Sequence, residues 1–184
     1  MKFTSKLSAL AIALALGTTA LTAQAQVMVG GAPMFAAKNI VENAVNSKDH
    51  TTLVAAVGAA GLVDTLKSAG PFTVFAPVNA AFDALPAGTV PTLLKPENKG
   101  MLAGILTYHV VAGKLDSFEL GQRIAAGGGK AMLKTVAGGM LTVTAVGSDA
   151  VVTDEKGGMA VITTANVYQS NGVIHVIDKV LLPK

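Results

Sequence analysis

Cysteine is absent from all 184 residues. That excludes disulfides, thiolate metal sites and a lipid carried on an N-terminal cysteine, so stability in an oxidising compartment must come from packing. Tryptophan is absent too, and aromatic residues make up 4%, too few for a base-stacking platform or a sugar-stacking face. Arginine occurs once, as Arg123, and the lysines stand singly. A surface that tracks phosphates needs clustered cations, so nothing here calls for nucleic acid as a partner. Histidines number three, none spaced as His-x-x-His or His-x-x-x-His, and a metal site is not expected. No Gly-x-Ser-x-Gly elbow is present, and no acid, base and nucleophile can be named together, so an enzyme is not expected.

The first residues carry Lys2 and Lys6, an apolar run from Leu7 to Leu16, and Ala23-Gln24-Ala25. This is the pattern of a secretory signal peptide with a small-x-small cleavage site. The apolar run stops at Gly17-Thr18-Thr19, short of the ~20 residues a membrane span requires. The expected division is a signal peptide over 1–25, a flexible leader over 26–38 with Gly30-Gly31 and Pro33, and one domain over 39–184. No transmembrane anchor remains after cleavage, and the protein is expected to be secreted or periplasmic. Without Lys2 and Lys6 the net charge falls from +3 to +1, 12 basic against 11 acidic residues.

Helical spacing begins at Ile40, Val41, Ala44 and Val45. A second helix is read through Leu53, Ala56, Val57, Ala60, Val63 and Leu66, with Asp49 or Thr51 as its N-cap. Gly70-Pro71 stops it. Phe72–Phe75 reads as a strand ended by Pro77. Asn79 is placed as the N-cap of a short helix, and Pro96 at the start of a helix carrying Met101, Leu102, Ile105 and Leu106, which feeds a strand at Tyr108–Val111. Glycine clusters at 127–129, 138–139 and 157–158 divide the second half into short Val/Thr/Ile/Leu segments, a strand meander. Within it Leu141, Val143 and Ala145 alternate with Thr142 and Thr144. Asn171-Gly172 signals a turn into the last and most apolar strand. Helices followed by strands indicate an α+β class.

Three segments carry a family likeness: Gly70-Pro-Phe-Thr-Val-Phe-Ala-Pro-Val-Asn-Ala-Ala-Phe82, Ile105-Leu-Thr-Tyr-His-Val-Val-Ala-Gly113, and Asn171-Gly-Val-Ile-His-Val-Ile-Asp-Lys-Val-Leu-Leu-Pro183. Together they resemble the signature segments of the fasciclin domain, from about Ile40 to Pro183. The resemblance implies a β wedge or sandwich with several short helices packed on it. It also implies a secreted or surface-displayed, non-enzymatic module for cell-surface or matrix adhesion, whose partner is a surface protein or polysaccharide. An alternative, held by some proteins similar to this one, is a carrier of an apolar pigment or lipid in a groove between helices and sheet, here lined by the methionines.

The resemblance also singles out residues. Proteins of this kind pair the histidine at His109 with the polar residue that maps to Asn79, while animal members are described as using Tyr108-His109 as a receptor-binding epitope. Val78-Asn79 stands where Thr-Asp is frequent, and Ala112 where proline is. In the last segment Asn171, Gly172, His175 and Asp178 are the notable residues; His175 and Asp178 point to opposite faces, so a tertiary hydrogen bond is expected for His175. His50 is read as solvated. Gly127-Gly-Gly-Lys130 reads as a flexible turn because Ala131 and Ile124 stand where a phosphate loop needs Ser/Thr and Gly. Asp154-Glu155 reads as a hairpin tip too poor in oxygen ligands for calcium. No cofactor is expected.

Overall fold

A computed structural model describes residues 26–184; the signal peptide read over 1–25 lies outside them. The supposed flexible leader is instead ordered. It forms a small hairpin of β1 (Met28–Val29) and β2 (Ala32–Pro33), turned by Gly30 and Gly31 at positive φ. Val29 and Met34 are buried in the core beneath the helices, and the Gly30 carbonyl accepts the Lys48 amide. Two large apolar side chains with a surface to cover outweigh the flexibility of the paired glycines.

Asn39 caps α1 (Ile40–Ala44) in a reciprocal capping box with Glu42, as such a pair three residues apart can. The next helical stretch is two helices, not one: α2 (Thr51–Ala60) and α3 (Val63–Lys67). Gly61 at φ +70 ends α2, and the Leu62 amide reaches back to the Val57 carbonyl, a Schellman closure that glycine makes cheap. Neither Asp49 nor Thr51 caps α2; His50 occupies the cap position without a side-chain bond.

Strand β3 (Phe72–Pro77) leads to α4 (Asn79–Asp83), for which Val78 is the cap residue, so Asn79 lies one position inside. After α5 (Thr89–Leu93) and a 3₁₀ turn over Pro96–Asn98 comes α6 (Lys99–Tyr108). Tyr108 is thus the last helical residue and not a strand residue; β4 covers Val110–Ala112. Helix α7 (Ser117–Ala126) was not foreseen, although Asp116 accepts the Glu119 amide as its cap and Glu119 pairs with Arg123. Strands β5 (Lys130–Lys134), β6 (Met140–Val146), β7 (Asp149–Thr153), β8 (Met159–Gln169) and β9 (Gly172–Ile177) complete the chain.

The seven long strands form one sheet in the order β4-β3-β9-β8-β7-β6-β5. All neighbours are antiparallel except β3 and β9, which run parallel from Phe72–Gly172 to Pro77–Ile177. The two outer strands meet at a Val111–Thr135 bridge, with the Val136 amide on the Val110 carbonyl at 2.8 Å. The sheet therefore nearly closes on itself.

Period-two alternation then sorts side chains into two cores. Val74, Ala76, Ile174 and Val176 face the helices with Leu53, Val57 and Leu106. Phe75 and Ile177 face inward with Leu120, Leu133, Leu141 and Val143. Strand β9 serves both cores, and all six of its residues are buried. Each fully buried Leu, Ile or Phe removes apolar surface worth about 1.5–3 kcal/mol from water. Ala145 departs from the expected alternation: it is exposed where β6 outruns the inner core.

Candidate functional site

The junction of α6 and β4 carries Tyr108 and His109, both buried, at 0% and 2% exposure. A receptor epitope at these residues is therefore not on the surface. The Tyr108 hydroxyl donates to the Met140 carbonyl at 2.9 Å and accepts the Glu155 amide at 3.0 Å. It ties the tip between β7 and β8 to the start of β6. Glu155 returns the contact by accepting the Met140 amide. Burial pushes the phenol's pKa up.

His109 serves a different neighbour. Its Nδ1–H donates to the Ile105 carbonyl at 2.8 Å, within α6, and its Nε2 accepts the Leu181 amide at 2.9 Å. One nitrogen must donate and the other accept, so these partners require a neutral ring protonated on Nδ1. Burial holds its pKa down at about 4, against the Ile105 bond and the charge of Asp154, which act the other way. Asp154 completes the knot: Oδ1 accepts the amides of Lys156 and Gly158, and Oδ2 accepts that of Leu182. The expected hairpin tip is there, and its carboxylate binds backbone N–H groups.

The expected pairing of His109 with Asn79 is not formed. Asn79 Oδ1 accepts the Thr52 amide at 3.0 Å and the Thr51 hydroxyl at 3.2 Å, and its Nδ2 donates to the Lys48 carbonyl. Asn79 thus satisfies free groups at the start of α2 from another element. An amide can do this where an aspartate cannot, because one side-chain end must donate.

In the last signature segment, Asn171 bridges α1 and the end of α3: Oδ1 accepts the Ile40 amide, and Nδ2 donates to the Leu66 and Ser68 carbonyls. At Gly172 a Cβ would lie 2.1 Å from the Phe72 carbonyl oxygen, so only glycine admits the start of the β3–β9 pairing. His175 stacks on Phe75 and donates from Nε2 to the Leu115 carbonyl at 2.8 Å. Its burial lowers the ring's pKa, against the Leu115 bond and Asp116. Asp178 faces elsewhere and accepts the Val161 amide. His50 is buried, not solvated: its Nδ1 contacts the Ser47 hydroxyl at 2.8 Å, and burial lowers its pKa. The segment read as a leader packs beside it: Val29 and Met34 line a small cavity with His50, and the Gly30 carbonyl accepts the Lys48 amide.

Sequence reading missed the buried contact of Asn43 with Gln169 and the Thr73 hydroxyl, which donates to the Gly113 carbonyl and accepts the Leu115 amide. A polar residue inside an apolar run was the one signal, and only in Thr73 was it strong. Between α2, α3, α6 and β3 lies a cavity of about 50 Å³ lined by Leu53, Val57, Leu66, Phe72, Leu106 and Val110 among others. No methionine lines it; Met28, Met101, Met132 and Met159 stand exposed elsewhere.

The family model described as "Fasciclin domain" matches residues 48–183. This chain belongs to the fasciclin domain family. A fasciclin relative from Synechocystis, Protein sll1483, is 45% identical over 88% of this chain and 83% of its own length. The cell surface glycolipoprotein MPB83 of Mycobacterium bovis is 38% identical over 66% of this chain and 48% of its own. The fasciclin fold is seen in the solved domain pair of the insect cell adhesion molecule Fasciclin I, with TM-score 0.70 and 17% identity over 79% of this chain and 51% of that one. This chain spans about half the length of the last two. The α+β wedge with packed helices expected from the sequence is this fold.

Proposed function

We propose that this fasciclin domain works outside the cytoplasm as a non-enzymatic interaction module, binding a surface protein or polysaccharide in cell-surface or matrix adhesion. The observation that carries the reading is the fate of the signature polar groups. Tyr108, His109, Asn171 and His175 are buried and bonded mainly to backbone, so partner contacts fall to the exterior. That exterior displays isolated large apolar side chains, Phe118 at 72% exposure and Met101 at 62%. The names of two relatives, a cell surface glycolipoprotein and a cell adhesion molecule, support the same reading. The test is retention of envelope fragments on a surface coated with residues 26–184. Retention above an albumin-coated control, lowered by Phe118→Ser or Met101→Ser without a change in melting temperature, is the expected result; retention equal to the control rejects the reading.

The apolar cavity favours a second reading, a carrier of a pigment or lipid. Ligand sites usually offer several hundred Å³, so the helices would have to part from β3 to admit such a molecule. Purified protein that is coloured or yields an extractable lipid supports this reading; colourless, lipid-free protein opposes it.

A further inference from the structure

Beyond β9 the chain forms no strand, yet Leu181 is only 1% exposed and belongs to the inner core. Two consecutive tail amides are held by side chains from distant elements: Leu181 by His109 Nε2 and Leu182 by Asp154 Oδ2, each at 2.9 Å. The ring cannot exchange its two roles, because Nδ1 must keep donating to the Ile105 carbonyl. A second proton would place an N–H on Nε2 directly against the Leu181 N–H, donor facing donor.

We propose that residues 180–184 form a proton-operated strap: protonation of His109 releases Leu181 from the inner core while the sheet stays folded. The titratable groups around the ring are few. Asp154, from the β7–β8 tip, is the charged group that acts on the ring; Phe75 and Val136, which line the same cavity as the ring, and Leu181, which bonds it, bring no charge. Asp154 attracts a charged ring and so favours the protonated form, but its Oδ2 is engaged with the adjacent tail amide, so the same movement frees both bonds.

The direction follows from linkage. In the strapped state the imidazole has a pKa of about 4; once the tail leaves and water reaches the ring, it returns toward the ordinary histidine value of about 6.5. The released state then binds the proton more tightly. Strapping is fully favoured well above pH 6.5, and its advantage falls nearly tenfold per unit between about pH 6 and 4.5, reaching a total of roughly 300-fold only well below pH 4.

Amide hydrogen exchange on the full domain between pH 7 and 4.5, corrected for intrinsic exchange, reads this directly. Protection of the Leu181 and Leu182 amides is expected to fall by about 60-fold relative to Ile174 and Val176 in β9. His109→Gln offers a carbonyl acceptor that does not titrate, and should flatten that dependence. Should this variant not fold, NMR titration of the wild-type His109 ring must track Leu181 exchange with one midpoint. Tail protection that is constant with pH, tail and β9 amides failing together, a full pH dependence in His109→Gln, or separate midpoints for ring and tail would each overturn the strap.

Discussion

Asn171 holds Ile40 from 131 positions away: its Oδ1 accepts the Ile40 amide at 3.0 Å while its Nδ2 donates to the Leu66 carbonyl at 2.7 Å. One amide side chain thereby satisfies the entry to α1 and the exit from α3. Replacing it with alanine leaves buried backbone groups unpaired, each costing about 1–3 kcal/mol. Asn171→Ala is expected to lower unfolding free energy by about 2–4 kcal/mol, read as a shifted urea midpoint at unchanged slope. A loss below 0.5 kcal/mol, on the order of an ordinary surface substitution, would show that water takes over these bonds.

Tyr108→Phe keeps the ring in the inner core and removes only the hydroxyl between Met140 and Glu155. A cost of about 1–2 kcal/mol is expected. Exchange should quicken at Glu155 before it does at Leu141, because the hairpin tip loses its tie while β6 keeps its ladder.

Asn79 distinguishes two substitutions. Alanine removes both ends of the bridge to α2 and should cost about 1 kcal/mol, the ordinary worth of a cap. Aspartate keeps the acceptor for Thr52 but sets an oxygen against the Lys48 carbonyl, so it should recover little of that loss. Thermal melts of both variants decide the matter; an aspartate variant more stable than the wild type would contradict the assigned donor.

Gly30 is the tightest point of the N-terminal hairpin, since a Cβ there would meet the Ser47 hydroxyl oxygen at 2.3 Å and its φ is +58. Gly30→Ala is expected to undock the hairpin and expose Ser47 and His50. Burial is the main cause of His50's lowered pKa, so in this variant the ring should titrate closer to 6.5. NMR titration of the His50 ring proton checks this, and an unchanged midpoint would mean that the hairpin does not shield it.

Legibility varied with the range of the forces involved. The alternation of Leu141 and Val143 with Thr142 and Thr144 and the apolar strand β9 were readable because each is a local pattern. So was Pro96 at the start of a helical turn. The turn read at Asn171-Gly172 falls one residue earlier, on Ser170 and Asn171, with Gly172 already in β9 and paired with Gln169. The break at Gly61 was hidden, since Leu62 and Val63 continue the apolar spacing across it. Helix α7 was obscured by a single apolar stripe, Leu120 and Ile124, set in a glycine- and charge-rich surrounding. Placement of polar partners was the least legible. Asn79 and His109 belong to neighbouring signature segments, but Asn79 turns to α2 and His109 to the tail, a choice made by tertiary distance. His50 is buried beside a hairpin whose glycines resemble those of a linker.

The parallel pairing of β3 with β9 also bears on how the domain is made. Phe72 meets Gly172 a hundred positions later, and β9 lies between β3 and β8, so neither core can close until residue 177 has arrived. Such long-range pairing slows folding. A chain threaded through a translocation pore from its first residue would accordingly stay unfolded during passage and complete its sheet only on the far side.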